Sequence, residues 1–359
     1  MKKRKLWKAL TGTILAALMT VTAVMPAMAA GGTVSTTDSG KGKIAVSKVL
    51  EMAQKDAPVD ETFTFTMSGT GTVSDAPEDT PAPTPANPSF TLGGDTSVWG
   101  GAAVSGNNKT LTGSWDPEIT FSAIGRYTYT IQETKGSSAG MTYDENTYNV
   151  TYTVVHGESG LEILSMAVYD TEDKKQPSPV AFTNQYDTAD IRIEKEVTGN
   201  LGDKDKEFSF SLTLNNGAAR IKNYTYTIYG SDNQPIDGKT GTATLGSQLD
   251  FTLQNEQYLV VSYLPVGTTY SVTESSEGIE DYTTTITNKE TEGSPVTGAE
   301  NRNASGSIAT GNNIVHFENN KETTGDTGIM LDVLPFVGIV LFAAAILAAM
   351  VFRKTRMHR

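Results

Sequence analysis

Two long stretches of the chain carry the same three landmarks in the same order. Each has a Lys in an alternating apolar segment, a Glu ending a Tyr-rich segment, and an Asn closing a Val-x-Phe-x-Asn segment. The first set is Lys48 in KIAVSKVLEM, Glu133 in YTYTIQE and Asn184 in VAFTN. The second is Lys195 in IRIEKEVTG, Glu274 in YSVTE and Asn319 in VHFEN. Lys and Glu stand 85 and 79 residues apart, Glu and Asn 51 and 45. A repeat on this scale points to two similar units, each bringing three distant positions to one place.

The text between the landmarks says what those units are made of. Thr, Val, Tyr and Ile recur at alternate positions in TFTFTM, EITFSA, RYTYTIQE, TYNVTYTVV, EFSFSLTL, NYTYTIYG, YLVVSYL, YSVTES and YTTTITN. Period-two runs broken by Gly, Asn, Asp and Pro predict an all-β chain of two tandem β-sandwiches. Only VSKVLEMAQK approaches a helical period, and it is short. The first domain is expected over 41–187 and the second over 188–321. The brief QYDTAD join predicts end-to-end stacking with little swing. Residues 74–88, Pro-rich and acidic, read as a solvated insertion loop outside the sheets. Residues 288–313, rich in Gly, Asn, Ser and Thr, read as a long loop with a weak strand.

The ends fix the expected compartment. MKKRKLWK, the apolar run Ala9 to Val24, and Ala27-Met28-Ala29 make a secretory signal peptide over 1–30. The apolar stretch 329–352 is long enough for a transmembrane helix, and the basic residues of 353–359 stay cytoplasmic. The bulk of the chain is therefore expected outside the cell. The net charge of −13 understates its acidity, because the two ends hold nine of the 28 Lys and Arg residues. Such a surface repels nucleic acid, which is set aside as a partner. The chain has no Cys, so a secreted protein of this kind needs a stabilising device other than disulfides.

Lys, a carboxylic acid and a carboxamide are what a self-formed Lys–Asn isopeptide bond requires. A free Lys, with a pKa of about 10.4, is a poor nucleophile at neutral pH, and burial lowers that pKa. The same burial raises a Glu pKa, so the acid can hydrogen-bond the amide and carry protons. The products are an Nζ–Cγ amide and ammonia.

These blocks resemble a known family. SKVLE with Lys48, IGRYTYTIQE, YDENTYNVTYTV and VAFTNQY make the first domain similar to the streptococcal pilin isopeptide-linkage domain of FctA/T-antigen type, found in Gram-positive pilus shaft subunits. EKEVTGN, LPVGTTYSVTE and VHFENNK make the second similar to the companion domain of those pilins. The resemblance implies immunoglobulin-like sandwiches whose first and last strands are bonded. It implies Lys48–Asn184 and Lys195–Asn319 as the cross-linked pairs, with Glu133 and Glu274 as acid/base.

The C-terminus resembles a sortase sorting signal over 322–328. In ETTGDTGIM the cleavage candidates are Thr327-Gly328, beside the apolar span, and Thr324-Gly325. Shaft assembly needs a lysine nucleophile, and Lys174 and Lys175 occupy the expected neighbourhood before the last strand of the first domain. The implied partners are sortase, identical or related pilin subunits and peptidoglycan, with a host surface ligand left open. No cofactor is expected. Without Cys, and with only His156, His316 and His358, no zinc site is expected. Trp99 and Trp115 read as core or interface anchors rather than as a sugar platform. A sortase-polymerised pilin and an adhesin anchored singly to wall or membrane both fit the sequence. A surface enzyme acting on another molecule does not.

Overall fold

The computed structural model describes residues 32–38, 40–288, 295–297 and 302–322. The expected signal peptide, the Thr-Gly pairs, the apolar span and the basic tail lie outside the described residues. Among those described, no helix is long and apolar enough to cross a membrane.

Among the described residues the chain is all-β apart from one helical turn. Alternating side chains give each strand one apolar face, and two sheets bury those faces against each other. In the first unit a five-stranded sheet runs Met141–Thr142, Val180–Tyr186, Ile44–Met52, Asn108–Trp115, Ala103–Ser105. Facing it, a six-stranded sheet runs Gly160–Tyr169, Thr147–Gly157, Gly125–Glu133, Glu61–Met67, Ser89–Gly94, with Thr72–Ser74 beside Gly125–Glu133. Ile44, Val46, Leu50 and Phe182 from one side meet Phe63, Phe65, Tyr127, Ile131 and Tyr152 from the other. The second unit repeats the plan. A seven-stranded sheet is centred on Tyr258–Pro265, Thr188–Thr198 and Asn313–Asn320, and a four-stranded sheet holds Gln248–Leu253, Phe208–Asn215, Thr269–Glu274 and Asn303–Ser307. Its core is separate.

The pairing of first and last strands positions everything that follows. The Lys48 strand pairs in parallel with the Asn184 strand, Lys48 opposite Phe182 and Asn184 opposite Leu50. The Lys195 strand pairs in parallel with the Asn319 strand, Lys195 opposite Phe317 and Asn319 opposite Val197. In both units the Asn stands two register steps beyond the Lys, so both side chains leave the same face of the sheet. Glu133 and Glu274 come from the opposing sheets, opposite Phe65 and Phe210.

The Pro-rich segment is mostly exposed, as expected of a solvated loop, but it also has a structural use. It stays out of the sheets but lies on the sandwich, because its own backbone is used to satisfy core side chains. Tyr129 Oη donates to Pro83 O at 2.5 Å, Trp115 Nε1 donates to Asn87 O at 3.0 Å, and Ala86 N donates to Glu118 O at 3.2 Å. Pro85 is buried there. The helical turn Thr96–Gly100, too short to read from periodicity, is capped by Asp95 and buries Trp99, whose Nε1 donates to Glu61 O at 2.8 Å. Both tryptophans are core residues, as read. The 288–313 region contains the short strands Pro295–Thr297 and Asn303–Ser307.

Polar contacts join the units. Gln54 Nε2 and Tyr263 N both donate to Asp190 Oδ1 at 2.9 Å, and Arg220 reaches the buried Glu61 at 3.2 Å. Gly140 sits at φ 72°, where a Cβ would come within 2.4 Å of Asp187 O; only glycine fits.

Candidate functional site

Each unit gathers its Lys, Glu and Asn at the centre of its core. Lys48 and Asn184 are 0 % exposed and Glu133 is 6 % exposed; Lys195, Glu274 and Asn319 are equally dry. Burying such groups is costly unless they satisfy one another, and they do.

In the first site the two Glu133 oxygens divide the work. Lys48 Nζ donates to Oε2 at 2.6 Å and Asn184 Nδ2 donates to Oε1 at 2.7 Å. The remaining Asn184 atom, Oδ1, accepts the Asp144 backbone N–H at 2.7 Å. Asp144 is held in turn, its carboxylate accepting from Thr183 N at 2.6 Å and Asn146 N at 2.8 Å. Beneath, the Phe63 ring lies 4.7 Å from Lys48 Nζ. Burial pushes the Lys48 amine below the usual lysine range, against the pull of the Glu133 carboxylate. Burial likewise pushes Glu133 up, against the pull of Lys48. The two shifts point the same way, toward a neutral amine beside a neutral acid. With a donor already on Asn184 Oδ1, this geometry can support amine attack at Cγ.

The second site repeats the arrangement with one change. Glu274 Oε1 alone meets both nitrogens, Asn319 Nδ2 at 2.8 Å and Lys195 Nζ at 3.3 Å. Lys195 Nζ also donates to Glu196 O and Phe317 O, and lies 4.4 Å from the Phe208 ring centre. Asn319 Oδ1 accepts from the Thr284 hydroxyl at 2.7 Å rather than from a backbone N–H. The second carboxylate oxygen, Oε2, is held by Arg302 Nη1 at 3.2 Å. Burial, helped by repulsion from Arg302 and opposed by Glu274, lowers the Lys195 pKa to about 8.

Sequence reasoning missed Asp144, Thr284 and Arg302. Asp144 stood in the quoted YDENTY run, but its contribution is a backbone N–H, which no residue type signals. Arg302 lies in the segment read as loop. A further repeat was open to reading: Phe63-x-Phe65 and Phe208-x-Phe210 each place one ring under the Lys and one against the Phe of the Asn strand, at 4.8 Å for Phe65–Phe182 and 5.2 Å for Phe210–Phe317. Lys174 and Lys175 are exposed in the turn before the Asn184 strand, where Asp170 Oδ1 accepts the Lys174 N–H at 2.9 Å and Lys174 Nζ pairs with Glu172. Thr327 and Gly328 lie outside the described residues. Among the described residues, no cluster of three His, Asp or Glu side chains could hold a metal ion.

Residues 44–187 match the sequence family described as Spy0128-like isopeptide containing domain. Residues 189–321 match one described as a domain of unknown function, DUF7601. A pilin of Streptococcus pyogenes serotype M1 is 27 % identical over 244 residues, 66 % of this chain and 70 % of that protein. The pilus tip adhesin Cpa of Streptococcus pyogenes is 29 % identical over 180 residues, half of this chain but 22 % of the adhesin. Among solved structures, the major pilin from Streptococcus pyogenes superposes with a TM-score of 0.59 at 25 % identity, covering 79 % of this chain and 99 % of that one. The T3.2 major pilin of the same species, at 22 % identity and a TM-score of 0.56 over 79 % of this chain and 99 % of its own, shares the fold.

Proposed function

We propose that this chain, whose residues 44–187 belong to the Spy0128-like isopeptide containing domain family, is a pilus shaft subunit. In this reading sortase polymerises it, and two self-formed bonds, Lys48–Asn184 and Lys195–Asn319, lock it. The observation that carries the proposal is that each unit clamps its first long strand to its last through a dry Lys–Glu–Asn set. Tension along a fibre enters and leaves each unit by those two strands, and a cross-link between them carries it directly.

Formation begins with a neutral Lys amine attacking Asn Cγ. Glu133 or Glu274 takes the Nζ proton and delivers it to Nδ2, which leaves as ammonia. The signal peptide over 1–30 directs export, and the span 329–352 with its basic tail holds the chain at the membrane for sortase. Cleavage falls between Thr327 and Gly328, and the Thr carboxyl passes to a neighbour's amine, with Lys174 or Lys175 the acceptor. The last subunit passes to peptidoglycan.

Two measurements test this. Each bond removes one ammonia, about 17 Da, so the purified protein should be about 34 Da lighter than its processed sequence. Wall extracts should give a ladder in SDS, and tryptic digestion a branched peptide joining Thr327 to Lys174 or Lys175. Full sequence mass refutes the bonds; uncut chain found only in membranes refutes the sorting. The similarity to a tip adhesin favours a second reading, a single-copy adhesin, which would show the mass loss without the ladder.

A further inference from the structure

The two sites are not chemically equivalent: where the first has the Asp144 N–H on Asn184 Oδ1, the second has the Thr284 hydroxyl on Asn319 Oδ1, and it adds the buried Arg302. Arg302 has a side chain only 1 % exposed, beside the equally dry Glu274. Its Nη1 donates to Glu274 Oε2 at 3.2 Å and to Thr284 Oγ1 at 2.5 Å, while Nη2 donates to Ile279 O at 3.1 Å and Tyr282 O at 3.3 Å. Backbone carbonyls thus fix the guanidinium. Thr284 has one hydroxyl proton. Its oxygen lies 2.7 Å from Asn319 Oδ1 and 3.3 Å from Glu274 Oε2, and the shorter contact takes the proton.

We propose that Thr284 is a catalytic residue of the second isopeptide site, its hydroxyl stabilising the oxyanion that develops on Asn319 Oδ1, and that Arg302 is the positioning residue that aims it. This rests on the isopeptide reading above.

Charge balance gives the pair a further consequence. In the first site, where the buried Asp144 carboxylate acts on both groups, passing a proton from Lys48 to Glu133 leaves the net charge unchanged, so the reactive neutral pair forms by internal transfer. In the second, Arg302 adds a positive charge in a dry core. It holds Glu274 Oε2 and repels the Lys195 ammonium, so that the Lys195 proton is released to solvent. Among the described residues, Glu318 also acts on Lys195 from the neighbouring strand's outer face, where it accepts from Thr198. Glu194 and Glu196 face outward with His316.

The neutral Lys195 amine then attacks Asn319 Cγ. As the Nζ–Cγ bond forms, the oxyanion is held by the Thr284 hydroxyl. Glu274 Oε1, already in contact with both nitrogens, takes one proton from Nζ and gives it to Nδ2. The Cγ–Nδ2 bond breaks, ammonia leaves, and the carbonyl re-forms. Closure of the second bond therefore follows loss of a proton to solvent, and closure of the first does not.

The experiment compares full chains carrying Thr284→Val, Thr284→Ser, Arg302→Gln or no change, mapping tryptic cross-links Lys48–Asn184 and Lys195–Asn319 by mass spectrometry. Losing an oxyanion donor slows a reaction by roughly 10²–10³-fold. Thr284→Val should thus be purified with the first bond complete and the second largely open, and Thr284→Ser should restore it. The open fraction of Thr284→Val, incubated after purification, should close about tenfold faster at pH 9 than at pH 7, the ratio of neutral amine for a group titrating near 8. Arg302→Gln should slow closure and flatten that pH dependence. A second bond that is complete in Thr284→Val overturns the proposal, as does a pH profile unchanged in Arg302→Gln. Absence of both bonds from the unaltered chain overturns the isopeptide reading itself, a distinguishable result. If Thr284→Val unfolds the second domain, the Arg302→Gln profile and the Thr284→Ser rescue decide.

Discussion

Replacing Glu133 with Gln keeps the shape of the side chain and its acceptor oxygen but removes its ability to carry a proton. The first bond should then fail to form while the domain folds. Two costs follow, and they can be separated. One is the lost constraint on the unfolded chain. A link between positions 48 and 184 closes a loop of about 136 residues, worth roughly 5 kcal/mol by the loop-entropy relation used for disulfides. The other is the stranded Lys48, fully buried and deprived of its carboxylate at 2.6 Å, which costs roughly 3–5 kcal/mol if it stays charged.

The double variant Lys48→Met/Glu133→Gln removes the second cost. It removes both charges of the pair, and Gln can still accept from Asn184 Nδ2. A domain of this size loses about 2–4 °C per kcal/mol, so the double variant should melt about 10–20 °C below the unaltered chain. Glu133→Gln alone should fall further. Calorimetry of the whole chain reads both, with the second domain's transition as internal control. The intact mass must show one ammonia retained. If the first bond is absent by mass and the double variant melts within two or three degrees of the unaltered chain, the loop-constraint reasoning is wrong.

Under force, Asn184→Ala should release a length of about 450 Å that the unaltered first domain never releases, since about 136 residues extend at 3.3–3.6 Å each; single-molecule pulling measures it. In Asn319→Ala the unreacted Lys195 remains, with a folded pKa lowered to about 8. The unfolded chain then binds more protons between about pH 8 and 10.5, so stability of the second domain should rise with pH across that window and stay flat below it. Urea midpoints at pH 7.5 and 9.5 check the sign. Gly140→Ala forces a positive φ and a clash with Asp187 O, and should lower the first-domain transition by the equivalent of about 1–3 kcal/mol.

The strand content, and the meeting of Lys48, Glu133 and Asn184 and of their second-unit counterparts, were legible because they rest on period-two alternation and on a repeat of order. A strand that alternates buries every second residue, and a Lys on the apolar face, as in AVSKVLE, has nowhere to go but the core. The rest was illegible for physical reasons. The Asp144 N–H acts through backbone placement, which depends on how the turn before the Thr147–Gly157 strand folds. Arg302 becomes buried only because the Asn303–Ser307 strand pairs with Thr269–Glu274 and carries it inward. The Pro-rich loop looked solvated because Pro cannot join a ladder. Yet a carbonyl without a ladder partner can accept from a core Tyr or Trp, and Pro83 and Asn87 do so.

A buried Lys–Glu pair is a poor way to stabilise a core. Desolvating two charges can cost more than their attraction returns, and well-packed apolar residues of similar volume do as well or better. Two such pairs at the same place in two sandwiches, each with an Asn on the remaining carboxylate contact, therefore call for a reason other than non-covalent stability. Conversion to an amide supplies one. It removes the charge that made the arrangement costly and exchanges a reversible contact for a covalent bond, and the unreacted state need persist only long enough to react. The same reasoning explains why the first site can do without an arginine and the second must be organised around one. Once Arg302 is buried, its repulsion favours surrender of the Lys195 proton, and the amide oxygen needs a donor that the guanidinium can hold in place. Thr284 meets that need in a strand whose neighbour carries Asn319 directly opposite it. That register, rather than the triad alone, distinguishes the chemistry of the second domain from that of the first.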